Sequence, residues 1–153
     1  FLMRQDGTTP VSAAKDLSCI FCKIIHGNTP SYKIDENEKY FAFLTVGPHR
    51  PGHTLVIPKT HVDDFIDLDD DSLKEIIIFS KRLVNAIKKA FNPRSGKVGL
   101  VVAGLEVRHA HLHLIPMDEL HDLDIDMGNR NVTPQELQDS QRKLLEVLKS
   151  GLR

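Results

Sequence analysis

Residues 108–116 read "RHAHLHLIP", and three of the chain's eight histidines fall inside that run. His109, His111 and His113 occupy every second position, with Ala110, Leu112 and Leu114 next to them. That alternation belongs to a β-strand, whose successive side chains leave opposite faces. The apolar set is expected to face a core and the histidine set to line a surface or cleft. A slip of one residue would exchange the two sets, so the register is well specified.

Three readings fit the histidine row. One is a half-exposed strand whose polar face is histidine. One is a catalytic metal site, because imidazoles at i and i+2 on a strand can ligate one zinc. The third is nucleophilic catalysis at phosphorus. Imidazole is largely unprotonated near neutral pH, and its attacking nitrogen carries the lone pair when an acceptor holds the other ring nitrogen. Neighbouring imidazoles and backbone amides then stabilise charge on the phosphate oxygens.

The surroundings point to an α+β domain with an antiparallel sheet and one main helix across it. Glu38–Val46, rich in aromatic and branched residues, reads as a strand, and His53–Pro58 as a second, with the loop "GPHRPG" between them. Lys97–Gly104 and His109–Pro116 read as two more. "CIFCKIIHG" reads as a short helix or turn stopped by Gly27. Residues 67–93 carry the main helix, with cap candidates from Asp69 to Ser72 and an apolar face of Leu73, Ile76, Ile77, Leu83, Val84, Ile87 and Phe91. A last helix starts at Thr133, followed by Pro134 in the first turn and Glu136 completing a capping box. Its narrower apolar stripe is Leu137, Leu144, Leu145 and Leu148.

At 153 residues and a formal net charge of −1, the chain suits one domain and has no global basic field, so strong nucleic-acid binding is not expected. No apolar run is long enough to cross a membrane, and the start lacks the apolar core of a signal peptide. Residues 1–16 are expected to form a disordered tail, with Met3 as the natural start and Phe1 and Leu2 added ahead of it. The two cysteines, Cys19 and Cys22, suit a reducing, cytoplasmic setting and a metal or redox role for the pair. Two small buried residues packing a helix are the plainer alternative.

"HAHLHLI" resembles the His-x-His-x-His pattern, followed by two apolar residues, of the histidine triad (HIT) superfamily. "CIFCKII" resembles that family's N-terminal segment, and "PGHTLVIPKTH", Pro51 to His61, its strand and turn with a fourth histidine. The likeness spans residues 17–118 in the expected order, leaving 119–153 as a C-terminal extension with one helix. It implies a five-stranded antiparallel sheet and a homodimer with a continuous ten-stranded sheet.

The resemblance also implies roles. His111 takes the position of the nucleophile, which attacks the α-phosphate of a nucleotide to give a covalent nucleotidyl-histidine that water releases. His113 and the fourth histidine, His53, support it, and no catalytic cofactor is required. Histidine rather than glutamine at the third triad position favours a hydrolase of the small Hint-like or bacterial type. The substrate is a purine nucleotide of the AMP or GMP kind, in a phosphoramidate or dinucleoside polyphosphate. Some members hold a structural zinc through ligands that correspond here to Cys19, Cys22, His61 and His109.

Two departures from the family stand out. Thr45 sits where many members bind the ribose hydroxyls with a carboxylate or amide, and Ala103 where Hint-like members carry asparagine. Glu106 and Arg108 replace small polar residues in the loop before the triad. The expected substrate-binding set is Phe43, Leu44, Thr45 and Glu106, although Phe43 and Leu44 must face opposite ways. A zinc-stabilised nucleotide-binding or interaction module with little turnover is the alternative function, and a hydrolase using all three triad histidines as metal ligands is a third. His49 reads as a solvated loop residue, and His121 and Asp122 sit in "DELHDLDID", residues 118–126, which reads as exposed and mobile.

Overall fold

The computed structural model describes residues 18–128 and 131–151; the tail expected at 1–16 lies outside them. In chain order, α1 (Ile20–Ile25) leads into β1 (Tyr32–Glu36), β2 (Tyr40–Leu44) and β3 (Thr54–Pro58). The long α2 (Asp70–Phe91), β4 (Lys97–Val101), β5 (Leu112–Met117) and α3 (Pro134–Lys149) complete it. One sheet of order β1-β2-β3-β5-β4 forms, with every neighbour antiparallel. The α+β architecture with five antiparallel strands is thus the one expected.

Pleating divides the sheet chemically. Ala42, Val56 and Leu112 pair across β2, β3 and β5, as do Leu44, Thr54 and Leu114. These residues lie on the face covered by α2 and α3, where Ala42, Leu44, Val56, Leu112 and Leu114 join Ile76, Leu83, Ile87, Leu137, Leu144 and Leu148 in one buried cluster. The opposite face presents Phe43, Leu55 and His113 in register, beside Phe41 and Ile57. There Phe41, Phe43, Leu55 and Ile57 pack with Cys19, Phe21 and Cys22 in a second cluster.

The caps fall where the sequence places them. The Asp69 carboxylate accepts the Ser72 N–H at 2.7 Å to start α2, and Asn92 ends it in the left-handed region at φ 43°. Thr133 and Glu136 form the reciprocal capping box of α3. That helix packs on its own chain, and its Gln141 amide donates to the Lys33 carbonyl on β1 at 2.9 Å.

The structure corrects several local expectations. β1 carries no clear strand signal, because "YKIDE" has three charged side chains in five residues and a bulge interrupts its alternation between Lys33 and Asp35. On α2, Ile76, Leu83 and Ile87 are buried, but Ile77 turns outward and is 44% exposed. β5 starts at Leu112 rather than His109, since its pairing with β3 ends at Val56 opposite Leu112. Upstream the backbone leaves the ladder, and the Ala110 N–H donates to the Val62 carbonyl at 2.6 Å. The stretch 118–126, expected exposed and mobile, instead runs into two short 3-10 turns, Leu120–Leu123 and Ile125–Met127, and Asp122 in the first of them is buried. His49, expected in solvent, keeps only 10% of its side chain exposed.

Candidate functional site

Although only His113 lies within β5, the triad histidines remain together on the α1 side of the sheet. Phe21 of α1 is the hub. Its ring meets His109, His111 and Phe43 edge to face, at centroid separations of 5.8, 5.2 and 5.4 Å. Nothing in "CIFC" itself marks Phe21 for this role, which depends on α1 folding against the histidine face.

Each imidazole has an assignable proton, because backbone carbonyls only accept and backbone amides only donate. His111 Nδ1 lies 2.7 Å from the His109 carbonyl. It therefore carries the proton, and the lone pair is on Nε2. His109 Nε2 lies 2.8 Å from the Pro58 carbonyl, so its lone pair is on Nδ1. His53 Nδ1 accepts the His49 backbone N–H at 3.1 Å. In its neutral form His53 thus donates Nε2–H to His113 Nδ1, 2.9 Å away. His113 in turn keeps its own proton on Nε2.

Burial keeps these rings neutral. It pushes His53 down to about 3 and His109 and His113 each to about 4, because a charged imidazole loses its hydration there. It lowers His111 as well, opposed by the hydrogen bond to the His109 carbonyl. The rings of His111 and His113 are 5.0 Å apart. The pair thus presents a neutral imidazole with a free lone pair next to an N–H donor, which is the equipment for attack on an electrophile that carries acceptor oxygens.

Beside it, Cys19, Cys22, His61 and His109 converge, their ligand atoms all within 4.8 Å of one another. His109 Nδ1 lies 3.4 Å from Cys19 Sγ, 3.5 Å from Cys22 Sγ and 3.2 Å from His61 Nδ1, and the last is 3.2 Å from Cys22 Sγ. A tetrahedron with Zn–N of about 2.05 Å and Zn–S of about 2.3 Å has edges of roughly 3.3–3.8 Å. The donor set fits such an ion, and the Pro58 carbonyl already aims the His109 lone pair at the centre of the cluster.

The expected substrate residues separate. Phe43 lies on the histidine face, whereas Leu44 belongs to the core beneath α2 and α3. Thr45 is half-buried, and its hydroxyl oxygen accepts the Gly47 N–H at 3.3 Å. Glu106 is exposed on the loop leading to the triad.

Comparison with known proteins gives the family. The HIT domain family matches residues 26–120. An adenosine 5'-monophosphoramidase of Saccharomyces cerevisiae is 41% identical over 114 residues, 71% of this chain and 70% of its own. The adenosine 5'-monophosphoramidase of Schizosaccharomyces pombe is 35% identical over 125 residues, 79% of this chain and 91% of its own. The crystal structure of a zinc-bound histidine triad family protein from Mycobacterium smegmatis superposes with a TM-score of 0.73 at 26% identity, covering 88% of this chain and 95% of that one. The chain belongs to the HIT domain family.

Proposed function

We propose that this protein hydrolyses nucleoside phosphoramidates, and the related anhydrides of dinucleoside polyphosphates, through a covalent nucleotidyl-His111. The observation that carries the reading is the 2.7 Å contact from His111 Nδ1 to the His109 carbonyl, which leaves the Nε2 lone pair free to attack. In the first step Nε2 forms a bond to the α-phosphorus while the P–N bond breaks, its electron pair staying on the leaving nitrogen, which takes a proton from solvent. In the second, water attacks the same phosphorus and gives up a proton to solvent, the P–Nε2 bond breaks, and the nucleoside monophosphate departs with the imidazole restored. His113 Nε2–H is the donor for a phosphate oxygen or the leaving nitrogen, and His53 holds that ring in the donating tautomer. The two yeast relatives are named as adenosine 5'-monophosphoramidases, which supports the choice of adenosine phosphoramidate.

Phe43 and Phe21 form the apolar wall on which a purine would lie, with Thr45 and Glu106 nearest to the ribose and phosphates in the family's arrangement. Leu44 backs this wall from the core side. Zinc in the Cys2His2 cluster would serve structurally, tying α1 and the turn after β3 to the segment that enters the triad. A homodimer is the proposed assembly. β4 is an edge strand with Leu100 46% exposed and Val102, just beyond it, 47% exposed, and such an edge invites pairing with a second copy. Cys19 and Cys22 form no disulfide, which suits a reducing compartment such as the cytoplasm.

The test is turnover of adenosine 5'-monophosphoramidate followed by phosphorus NMR. The reading predicts AMP and ammonia from the wild type and none above background from His111→Ala. Nucleotide binding without AMP release would establish the binding module instead.

A further inference from the structure

A second polar cluster, built on Asp122, holds the loop that carries His49 and Arg50. Asp122 is 3% exposed and receives four donors. Its Oδ2 accepts the backbone N–H of Asp118 at 2.8 Å, that of Glu119 at 3.0 Å and the Arg50 guanidinium at 2.9 Å. Its Oδ1 lies 3.3 Å from His49 Nε2. Arg50 also reaches Asp118 at 2.9 Å, and Asp118 is itself anchored by the Ser95 N–H at 3.0 Å. The backbone amides, led by that of Asp118, hold the Asp122 carboxyl ionised, down to about 2.

These contacts grip one loop, residues 47–53. Gly128 adds a second hold, since a Cβ there would collide with the Gly47 carbonyl. At the far end Gly52, at φ 94°, lies so close to the Phe91 ring that an added Cβ would come within 2.6 Å of it. The loop's cargo is the His49 N–H on His53 Nδ1. Without that amide, His53 is free to move its proton to Nδ1. It would then accept from His113, which would carry its proton on Nδ1 and turn a lone pair, not a donor, toward the phosphate. That backbone hydrogen bond chooses between two neutral tautomers of similar energy only while the loop holds its place.

We propose that Asp122, which lies just beyond the residues matching the HIT domain, is a positioning residue of the reaction. By holding Arg50 and His49 it keeps the His49 amide on His53 and so keeps His113 a donor. The turnover part of this claim rests on the phosphoramidate hydrolysis proposed above; the tautomer part does not.

The experiment compares wild type, Asp122→Asn and Asp122→Ala, full length and labelled with nitrogen-15 at histidine. Two-bond proton–nitrogen spectra read the ring tautomers, with His53→Gln assigning the His53 signals. Steady-state kinetics use adenosine 5'-monophosphoramidate. The expected wild type shows His53 as one Nε2–H tautomer. Asp122→Ala spreads it over both forms and lowers kcat roughly 10- to 100-fold, with KM within about twofold. Should Asp122→Ala fail to fold, the isosteric Asp122→Asn decides, with a change in the same direction. A folded variant with an unchanged His53 tautomer overturns the proposal, whatever its activity, and so does an unchanged kcat. Should the wild type turn over no phosphoramidate, that reading fails, and the tautomer comparison alone decides the role of Asp122.

Discussion

His53 Nε2, just ahead of β3, and His113 Nδ1 on β5 lie 2.9 Å apart, and the direction of that hydrogen bond is set by a backbone amide on the far side of His53. Sixty residues separate the two rings in sequence, yet the tautomer of one dictates that of the other. Replacing His53 by Ala removes the donor and should lower kcat by roughly 10- to 100-fold. His53→Gln, whose amide N–H can still donate to His113, should recover part of that loss. Equal kcat values in both variants would show that the donated proton is irrelevant.

Acid should destabilise the fold through these same rings. His53 and His113 are held at about 3 and about 4 by burial, against an unfolded value of about 6.5. As pH falls below that value the unfolded chain binds protons that the folded chain refuses. Stability is therefore full above about 6.5 and declines toward about 4, each such proton steepening the slope by about 1.4 kcal/mol per pH unit. Denaturant unfolding between pH 7.5 and 5 measures the slope, and His53→Gln should flatten it by about one proton. A wild-type stability that is level across this range would contradict the burial of neutral imidazoles.

The Cys2His2 cluster predicts one zinc per chain, lost in Cys22→Ser. With free zinc at about 1,000 times Kd, binding to the folded state alone is worth about 4 kcal/mol. Strong chelation should then lower Tm by roughly 8–16 °C for a chain of this size. Metal analysis with and without chelator, paired with thermal melts, checks this; an unchanged melt would remove zinc from the account.

Between β5 and α2 the core sets a stability scale. Leu114 is fully buried on the helix side of the sheet, and Leu114→Ala should destabilise by about 2–5 kcal/mol. Leu105, 91% exposed on the loop before the triad, should change stability by less than about 0.5 kcal/mol when made Ala. Urea titrations of both variants measure the contrast.

What could be read from the chain depended on the range of the interaction. α2 and α3 announce themselves through local caps and periodic apolar faces, and His109, His111 and His113 through their spacing. β1 could not be read that way, because its pairing partner β2, rather than its own pattern, makes it a strand. The departure of His109 from the β5 ladder was hidden as well, since the Pro58 and Val62 carbonyls that draw the segment away lie about fifty residues upstream. Asp122 and His49 looked like solvated loop residues for the same reason. Each becomes buried only when two turns some seventy residues apart meet. The convergence of Cys19 and Cys22 with His61 and His109 followed from the family resemblance, not from spacing alone.

The most direct test of the central claim is mass spectrometry of the intact protein, quenched during turnover of adenosine 5'-monophosphoramidate. The account predicts an adduct of one adenylyl group per chain on His111 Nε2, formed in zinc-loaded and chelator-treated folded protein alike and absent from His111→Ala. Turnover without any adduct, or an adduct that persists in His111→Ala, would contradict it.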